Sequence, residues 1–319
     1  MPATTPTTAL ALCTLSHSPL MGKNHADPQA EAAVAEAFAQ ARDVITAFGP
    51  DLVVLFGPDH YNSFFYDLMP PFCLGLGAVS VGDYGTAPGP LAVDRQAAST
   101  IVQRVLADGI DLAYSERMSV DHGLAQPLEL LFGAVDAIPV VPVFVNSVAE
   151  PLCPVGRVRL LGEAVGRAVQ SLRRRVLIVG SGGLAHDPPV PRLEGASREV
   201  AERLICGRNP TPEQRAERER RTLAAGRDFA AGTATMAPLN PKWDRQFMAL
   251  LADGAFDEIV TWSNAEFVEM AGHSGHEVRS WIAAYAALAT AGPFRVTTSF
   301  YREIPEWITG FGVTTAASA

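Results

Sequence analysis

Three short apolar runs, in ALALCTLSHSP, DLVVLFGPDH and RVLIVGSGGLAH, each end in a polar loop that delivers a histidine: His17, His60 and His186. The first is followed by an Ala-rich segment, Glu31 to Phe48, with helical periodicity, and then by a Val- and Leu-rich strand over residues 51 to 57. That β-α-β order implies a parallel crossover. In an open α/β sheet the carboxyl ends of the strands share one edge, where ligands bind, so the three loops are expected to converge on one crevice. Imidazole is the commonest metal ligand and the usual proton carrier near neutral pH, so the cluster points to metal or acid/base chemistry. One histidine after a strand is an ordinary turn residue. Three in the same context are not.

The chain has 319 residues, 48% hydrophobic and 18% charged, which is ample for a large core. No Pro/Ser/Gly-rich or single-charge stretch divides its middle. The expectation is one α/β domain over residues 9–319, a central β-sheet flanked by helices with the site at the strand carboxyl ends, after a flexible extension over residues 1–8. A net charge of −9 argues against phosphate-backbone binding, which needs a dense positive surface. The one basic cluster, Arg173 to Arg175, is expected to complement the C-terminal dipole of the helix before it. Cys13, Cys73, Cys153 and Cys206 form no C-x-x-C pair and read as reduced thiols. The N-terminus lacks a basic region and the apolar run after it is too short for a signal or a membrane span. A soluble, cytoplasmic protein is expected.

Residues 61 to 85 are aromatic, Gly-rich and Pro-containing, and are expected to form strands and loop over the site mouth. Residues 93 to 108 are expected to be helical, and SVDHGLAQPLELLFG sets Asp121 and His122 in a loop entering another helix. PVVPVFV is strand-like, and its prolines suggest an edge or interrupted position. A helix over about 157 to 172 and a strand over 175 to 180 form a second unit. Charged helical sequence fills 194 to 232 and further helices fill 240 to 290. The last of these, HEVRSWIAAYAALAT, is apolar nearly all round and is expected to be buried, which makes Glu277 conspicuous.

Known hydrolase patterns fail. Ser80 is out of register for a G-x-S-x-G elbow, and Gly180-Ser181-Gly182-Gly183 also misses it. The H-E-x-x-H pattern starts at His276 and Glu277 but meets Ser280 where the second histidine belongs. Residues 180–183 also lack the Lys-Ser/Thr of a phosphate loop. What survives is His17, His60, His122, His186 and Glu277. Two histidines and one carboxylate on one face of an iron leave positions open for substrate and oxygen, and two further histidines can serve as acid and base. A carboxylate in a first helical turn is also favoured by the helix dipole alone. His273 and His276 are expected to be capping or supporting residues, and His25 to be exposed.

At these residues the chain resembles the type II extradiol ring-cleavage dioxygenases, the superfamily of protocatechuate 4,5-dioxygenase. The segments that carry the resemblance are LSHSPL, DLVVLFGPDHYNSFFYDLMPPFCLG, VDHGLAQPLELL, VLIVGSGGLAHDPPVP, LNPKWDRQFM, HEVRSWIAA and IPEWITGFG. They run in order through nearly the whole chain. Residues 1 to about 8 and the charged stretch 207 to 232 are unmatched and say little about chemistry. The resemblance implies Fe(II) held by His17, His60 and Glu277, with His122 and His186 as the acid/base pair; which is base and which acid at each step stays open, His186 as base toward the catechol and His122 as acid being the simplest order. Asp121 and Pro188 are implied as supporting positions, Asp121 by orienting an imidazole. It further implies O2 and a catechol with a 3-carboxyethyl side chain, 2,3-dihydroxyphenylpropionate, as substrates, and a homo-oligomer.

The residues that bind the ring side chain are not identified by sequence. Tyr61, Phe64, Phe65 and Tyr66 are candidates for a ring wall, and Arg245 or Arg302 for a carboxylate partner, though packing and surface ion pairs are the commoner roles. Two other functions stay open: extradiol cleavage of another catechol or an aminophenol, and a non-catalytic metal-binding interaction protein on the same scaffold.

Overall fold

The computed structural model describes residues 8–318. Of the expected extension at residues 1–8, all but Thr8 therefore lies outside the described residues. The first half of the chain runs β1 (Ala9–Leu15), α1 (Pro28–Phe48), β2 (Leu52–Gly57), β3 (Phe72–Gly75), β4 (Ala78–Ser80), β5 (Gly89–Pro90), α2 (Arg95–Ala107), β6 (Ala113–Ser115), β7 (Met118–Val120) and α3 (His122–Phe132). Next come β8 (Val140–Val145), α4 (Val155–Gln170), β9 (Arg175–Ser181), α5 (Arg198–Cys206), α6 (Pro212–Ala230) and α7 (Pro241–Ala252). The chain closes with α8 (Phe256–Ile259), α9 (Asn264–Ala271), α10 (Arg279–Ala289), β10 (Phe294–Ile304) and β11 (Thr309–Ser318). The expected helices are present, with ends shifted by a few residues where caps decide. Asp27 accepts from the Gln29 N–H and Pro28 opens α1, while Gly49 closes it at φ 62°.

Eight strands form one mixed sheet in the order β10-β11-β1-β9-β2-β8-β3-β6, and β5-β4-β7 form a small second sheet. The centre, β1-β9-β2-β8, is parallel. Its strands are buried on both faces, and their side chains sort by the period of two. Leu10, Leu12, Val54, Phe56, Val176 and Ile178 pack with α2, α4 and α10 on one face. Ala11, Cys13, Val53, Leu55, Leu177 and Val179 pack with α1 and α3 on the other. The result is a three-layer α/β/α domain, as the sequence implies. Among the described residues no helix is long and apolar enough to cross a membrane.

Helix α10 lies against the sheet centre and is buried from Arg279 to Leu288. Gly162 and Gly166 make this possible: a Cβ on either would stand 2.3–2.4 Å from the Ala283 or Ala287 carbonyl of α10. The α4 and α10 backbones therefore touch, and this contact fixes the turn at His273–Val278 that carries Glu277.

Two expectations are corrected. PVVPVFV is interior, between β2 and β3. Val140 exchanges both backbone bonds with the 92–94 segment, so by alternation Pro142 turns to that same side. There the neighbouring chain has given way to Gly75, where a Cβ would meet the Pro142 ring at 2.9 Å. The missing N–H thus faces a gap in the pairing. The basic cluster does not serve the helix before it. Arg174 pairs with Asp51 and Asp94, and Arg175 donates to the carbonyls of Phe48 and Gly49 at the end of α1.

Candidate functional site

His17 follows β1, His60 follows β2 and His186 follows β9, and these three strands are parallel neighbours in the order β1-β9-β2. Their loops open on one edge, as Leu and Val runs buried on both sides require. His122 enters from the small sheet, at the start of α3 behind its N-cap Asp121. Glu277 enters from the turn before α10. Ring centroids of His17, His60 and His122 stand 4.5–5.8 Å apart, with His60 and His122 stacked at 15°. One Glu277 oxygen lies 3.1 Å from His60 Nε2 and 3.3 Å from His186 Nε2; the other lies 3.5 Å from His17 Nε2. All five residues singled out in the sequence therefore meet in one buried cluster.

Each imidazole has its Nδ1 engaged from behind. The partners are Ser181 Oγ for His17 (2.8 Å), Asp121 for His60 (3.1 Å), Asp83 for His122 (2.7 Å) and the Leu184 carbonyl for His186 (2.7 Å). The Nε2 atoms of His17, His60 and His186 are thereby turned onto Glu277. A hydrogen bond on one ring nitrogen selects and orients the other for a ligand or a proton, so the cluster is prepared for metal.

Electrostatics agree with that preparation. Burial holds His17 neutral, its pKa lowered to about 3. Burial also opposes charge on His60 and His186, but the carboxylates outweigh it: Asp121 and Glu277 raise His60, and Glu277 raises His186. The same histidines hold Glu277 well below the usual carboxylate range against its burial. Imidazole nitrogens and one carboxylate oxygen suit a divalent transition metal. Two triads share His17 and His60: one completed by Glu277, and one by His122, whose ligand atom lies within 4.8 Å of theirs.

Asp121 orients an imidazole, but that of His60 and not of its neighbour His122. Its Oδ2 accepts from the His60 N–H (2.7 Å) and from Asn62 (2.9 Å), and its Oδ1 caps α3 through the Gly123 N–H. The group that holds His122 is Asp83, which sequence reasoning missed along with Ser181. Both lie in Gly-rich, otherwise apolar stretches with no spacing signal. Gly182 and Gly183 have a role other than phosphate binding. A Cβ on Gly182 would clash with Glu277 and one on Gly183 with the His186 ring, while the Gly183 N–H donates to Glu277 at 3.0 Å.

The other nominated residues stand apart. Phe65 and Tyr61 pack with Leu204, and Phe64 stacks on Phe144 at 4.1 Å. The aromatic ring facing the cluster is Tyr84, 5.0 Å from His122. Pro188 lines a separate cavity of about 240 Å³ with Asp187, His273 and His276. His273 is held by Asp187, His276 is buried against Phe267, and His25 is exposed. Arg245 lies over the Tyr301 ring at 4.7 Å, and Arg302 pairs with Asp27 at 3.1 Å.

The His186 loop is anchored by Asp244, from the LNPKWDRQFM segment. Fully buried, it accepts from the Ala185 N–H (2.8 Å) and the Tyr301 hydroxyl (2.7 Å). Asp244→Ala leaves both donors unpartnered, an expected loss of about 2–6 kcal/mol at 1–3 per group, readable by urea denaturation. Burial lifts the Asp244 pKa from 3.8 to about 6 despite those bonds. The folded state thus binds the proton more tightly, so this group's stabilisation is full below about pH 4 and is lost as pH rises through about 6. Asp244→Asn should flatten that slope. An unchanged slope would mean that another group produces it.

A model of the family described as the catalytic LigB subunit of aromatic ring-opening dioxygenase matches residues 11–312. Among curated proteins, a 2,3-dihydroxyphenylpropionate/2,3-dihydroxicinnamic acid 1,2-dioxygenase of Rhodococcus jostii (strain RHA1) is 62% identical over 309 residues, 97% of this chain and 98% of its own. Proteins of the same name from Cupriavidus pinatubonensis and Azotobacter vinelandii are 51% and 50% identical, over 96% and 95% of this chain and 97% of their own.

Proposed function

The chain belongs to the family of the catalytic LigB subunit of aromatic ring-opening dioxygenases, and from that premise we propose that it uses Fe(II) and O2 to open 2,3-dihydroxyphenylpropionate by extradiol cleavage. The substrate is taken from the relatives, whose names state it. In this reading His17, His60 and Glu277 hold the metal, and His122 and His186 move protons. The observation that carries it is the convergence of Glu277 on three imidazole Nε2 atoms whose Nδ1 atoms are already engaged.

When bound, the metal supplies the redox path between a catechol and O2 and a template for both. The protein's own part is proton management and exclusion of water. His186, 9% exposed, takes a catechol hydroxyl proton at Nε2, while its Nδ1 stays on the Leu184 carbonyl. His122, held by Asp83, returns a proton to oxygen as the O–O bond breaks. Both atoms of O2 end in the ring-opened 2-hydroxy-dienoic acid, so the reaction balances without an added reductant. A scaffold that only holds metal has no use for the two proton carriers.

The four cysteines are free thiols, which suits a cytoplasmic location. We also propose that it assembles as a homo-oligomer.

The test is oxygen uptake after anaerobic Fe(II) loading, with 2,3-dihydroxyphenylpropionate, catechol, protocatechuate and 2-aminophenol. The expected result is one O2 consumed per ring opened, the highest kcat/KM for the first compound, and no uptake with Zn(II), which binds such sites more tightly than Fe(II) but has no redox chemistry. Preference for protocatechuate or the aminophenol overturns the substrate. Equal turnover with Zn(II) overturns the dioxygenase reading.

A further inference from the structure

We propose that Arg218, on the charged helix α6, is the residue that receives the side-chain carboxylate of the substrate, with Arg215 one turn away in support. The proposal rests on the catechol-opening function above and identifies what recognises the third substituent of the ring.

Helix α6 belongs to the stretch that sequence alone left without chemistry, yet it is fastened beside the histidines. The Tyr84 N–H donates to Glu219 at 2.9 Å, and the Tyr84 hydroxyl meets Thr222 at 3.0 Å. Arg218 lies on the same face. Its guanidinium is 3.4 Å from the His60 carbonyl, 3.4 Å from Asn62 Oδ1 and 3.9 Å from Asp83. Asn62 in turn bonds to Asp121 behind His60, and Asp83 is the partner of His122. The cation is therefore one residue removed from two rings of the cluster.

It is also loosely held, with its side chain 35% exposed. All three contacts are at or beyond the outer limit of a good hydrogen bond. The Arg218 Nε is buried with no partner among the described residues, and so is Arg215 Nη1. A guanidinium has five donors in a planar fork matched to a carboxylate. A carboxylate entering beside His60 and Asp83 would satisfy the Arg218 fork. The surroundings favour such a cation, because the buried carboxylates of Asp83 and Asp121, behind His122 and His60, would otherwise repel an anionic side chain. Arg245 and Arg302 are engaged elsewhere.

The competing role is a tie between α6 and the loop after β2, and it predicts equal loss for every catechol. The experiment compares wild type, Arg218→Gln and Arg218→Lys on 2,3-dihydroxyphenylpropionate and on 3-ethylcatechol, which lacks the charge. Both kcat/KM and anaerobic binding to metal-loaded protein by calorimetry are measured. Arg218→Gln should weaken binding of the carboxylate compound and raise its KM by about 10- to 100-fold, as expected for a lost charge-assisted pair. The loss for 3-ethylcatechol should be much smaller than that for the carboxylate compound, and Arg218→Lys should recover part of the latter. Equal loss for both compounds, or none for either, overturns the proposal. Wild type that opens both compounds equally well also overturns it and leaves the enzyme reading standing. Wild type that opens neither but binds the carboxylate compound through Arg218 overturns the enzyme reading and leaves the carboxylate site standing.

Discussion

Glu277→Ala protein should fold, bind Fe(II) more than about 100-fold more weakly than wild type, and open no ring. Mutating a group that merely supports a ligand already weakens metal binding about 10- to 100-fold, so loss of a ligand should exceed that. The position explains why the effect should be large. Among the described residues Glu277 is the one paired with His17, His60 and His186 together, and its carboxylate would offset half the charge of a divalent ion. Removing it also strips the Gly183 N–H of its acceptor, which costs about 1–3 kcal/mol. That is too little to unfold a domain of this size. Glu277→Gln separates the two effects by keeping an oxygen for Gly183 without the charge. Metal content after dialysis, oxygen uptake and thermal unfolding give the answer. Normal metal content in both variants would move the site to His17, His60 and His122.

The sequence showed its strands well because the central ones are buried on both faces and leave unbroken Val/Leu runs. Their order along the chain, with helices between, compels a parallel sheet, and the parallel sheet gathers His17, His60 and His186 without further information. Glu277 was conspicuous for a related reason, being acidic beside a helix apolar all round. The reading failed where a residue's role depends on its spatial neighbour. PVVPVFV looks like an edge strand until the gap opposite Pro142 is seen. Arg175 serves a helix that ends at Phe48, far back in the sequence. Asp83, Ser181 and Asp244 hold the cluster from three unrelated segments, and no local pattern distinguishes them from other small polar residues. The hairpin of β10 and β11 was missed, although FRVTTSFYREI is rich in β-branched and aromatic residues. Its alternating exposure is the mark of an antiparallel edge and not of the buried core that drew attention.

His122→Ala and His186→Ala should give the opposite pattern to Glu277→Ala, with metal retained and ring opening lowered by about 10²- to 10⁴-fold, the usual contribution of a positioned acid or base. The two differ in how they are held. His186 leans on a backbone carbonyl within its own loop, which Asp244 anchors through Ala185, so Asp244→Ala should also lower turnover. His122 is held by Asp83, which also accepts its backbone N–H at 2.8 Å. Asp83→Ala frees the ring and should reproduce much of the His122→Ala loss without changing metal content. That result would be hard to explain if His122 were a ligand, because a ligand released from its support weakens the metal. The two triads are thus told apart by metal content alone. Metal lost from His122→Ala but kept by Glu277→Ala would make His122 the third ligand and leave Glu277, already touching His60 and His186, as the group that passes protons between them.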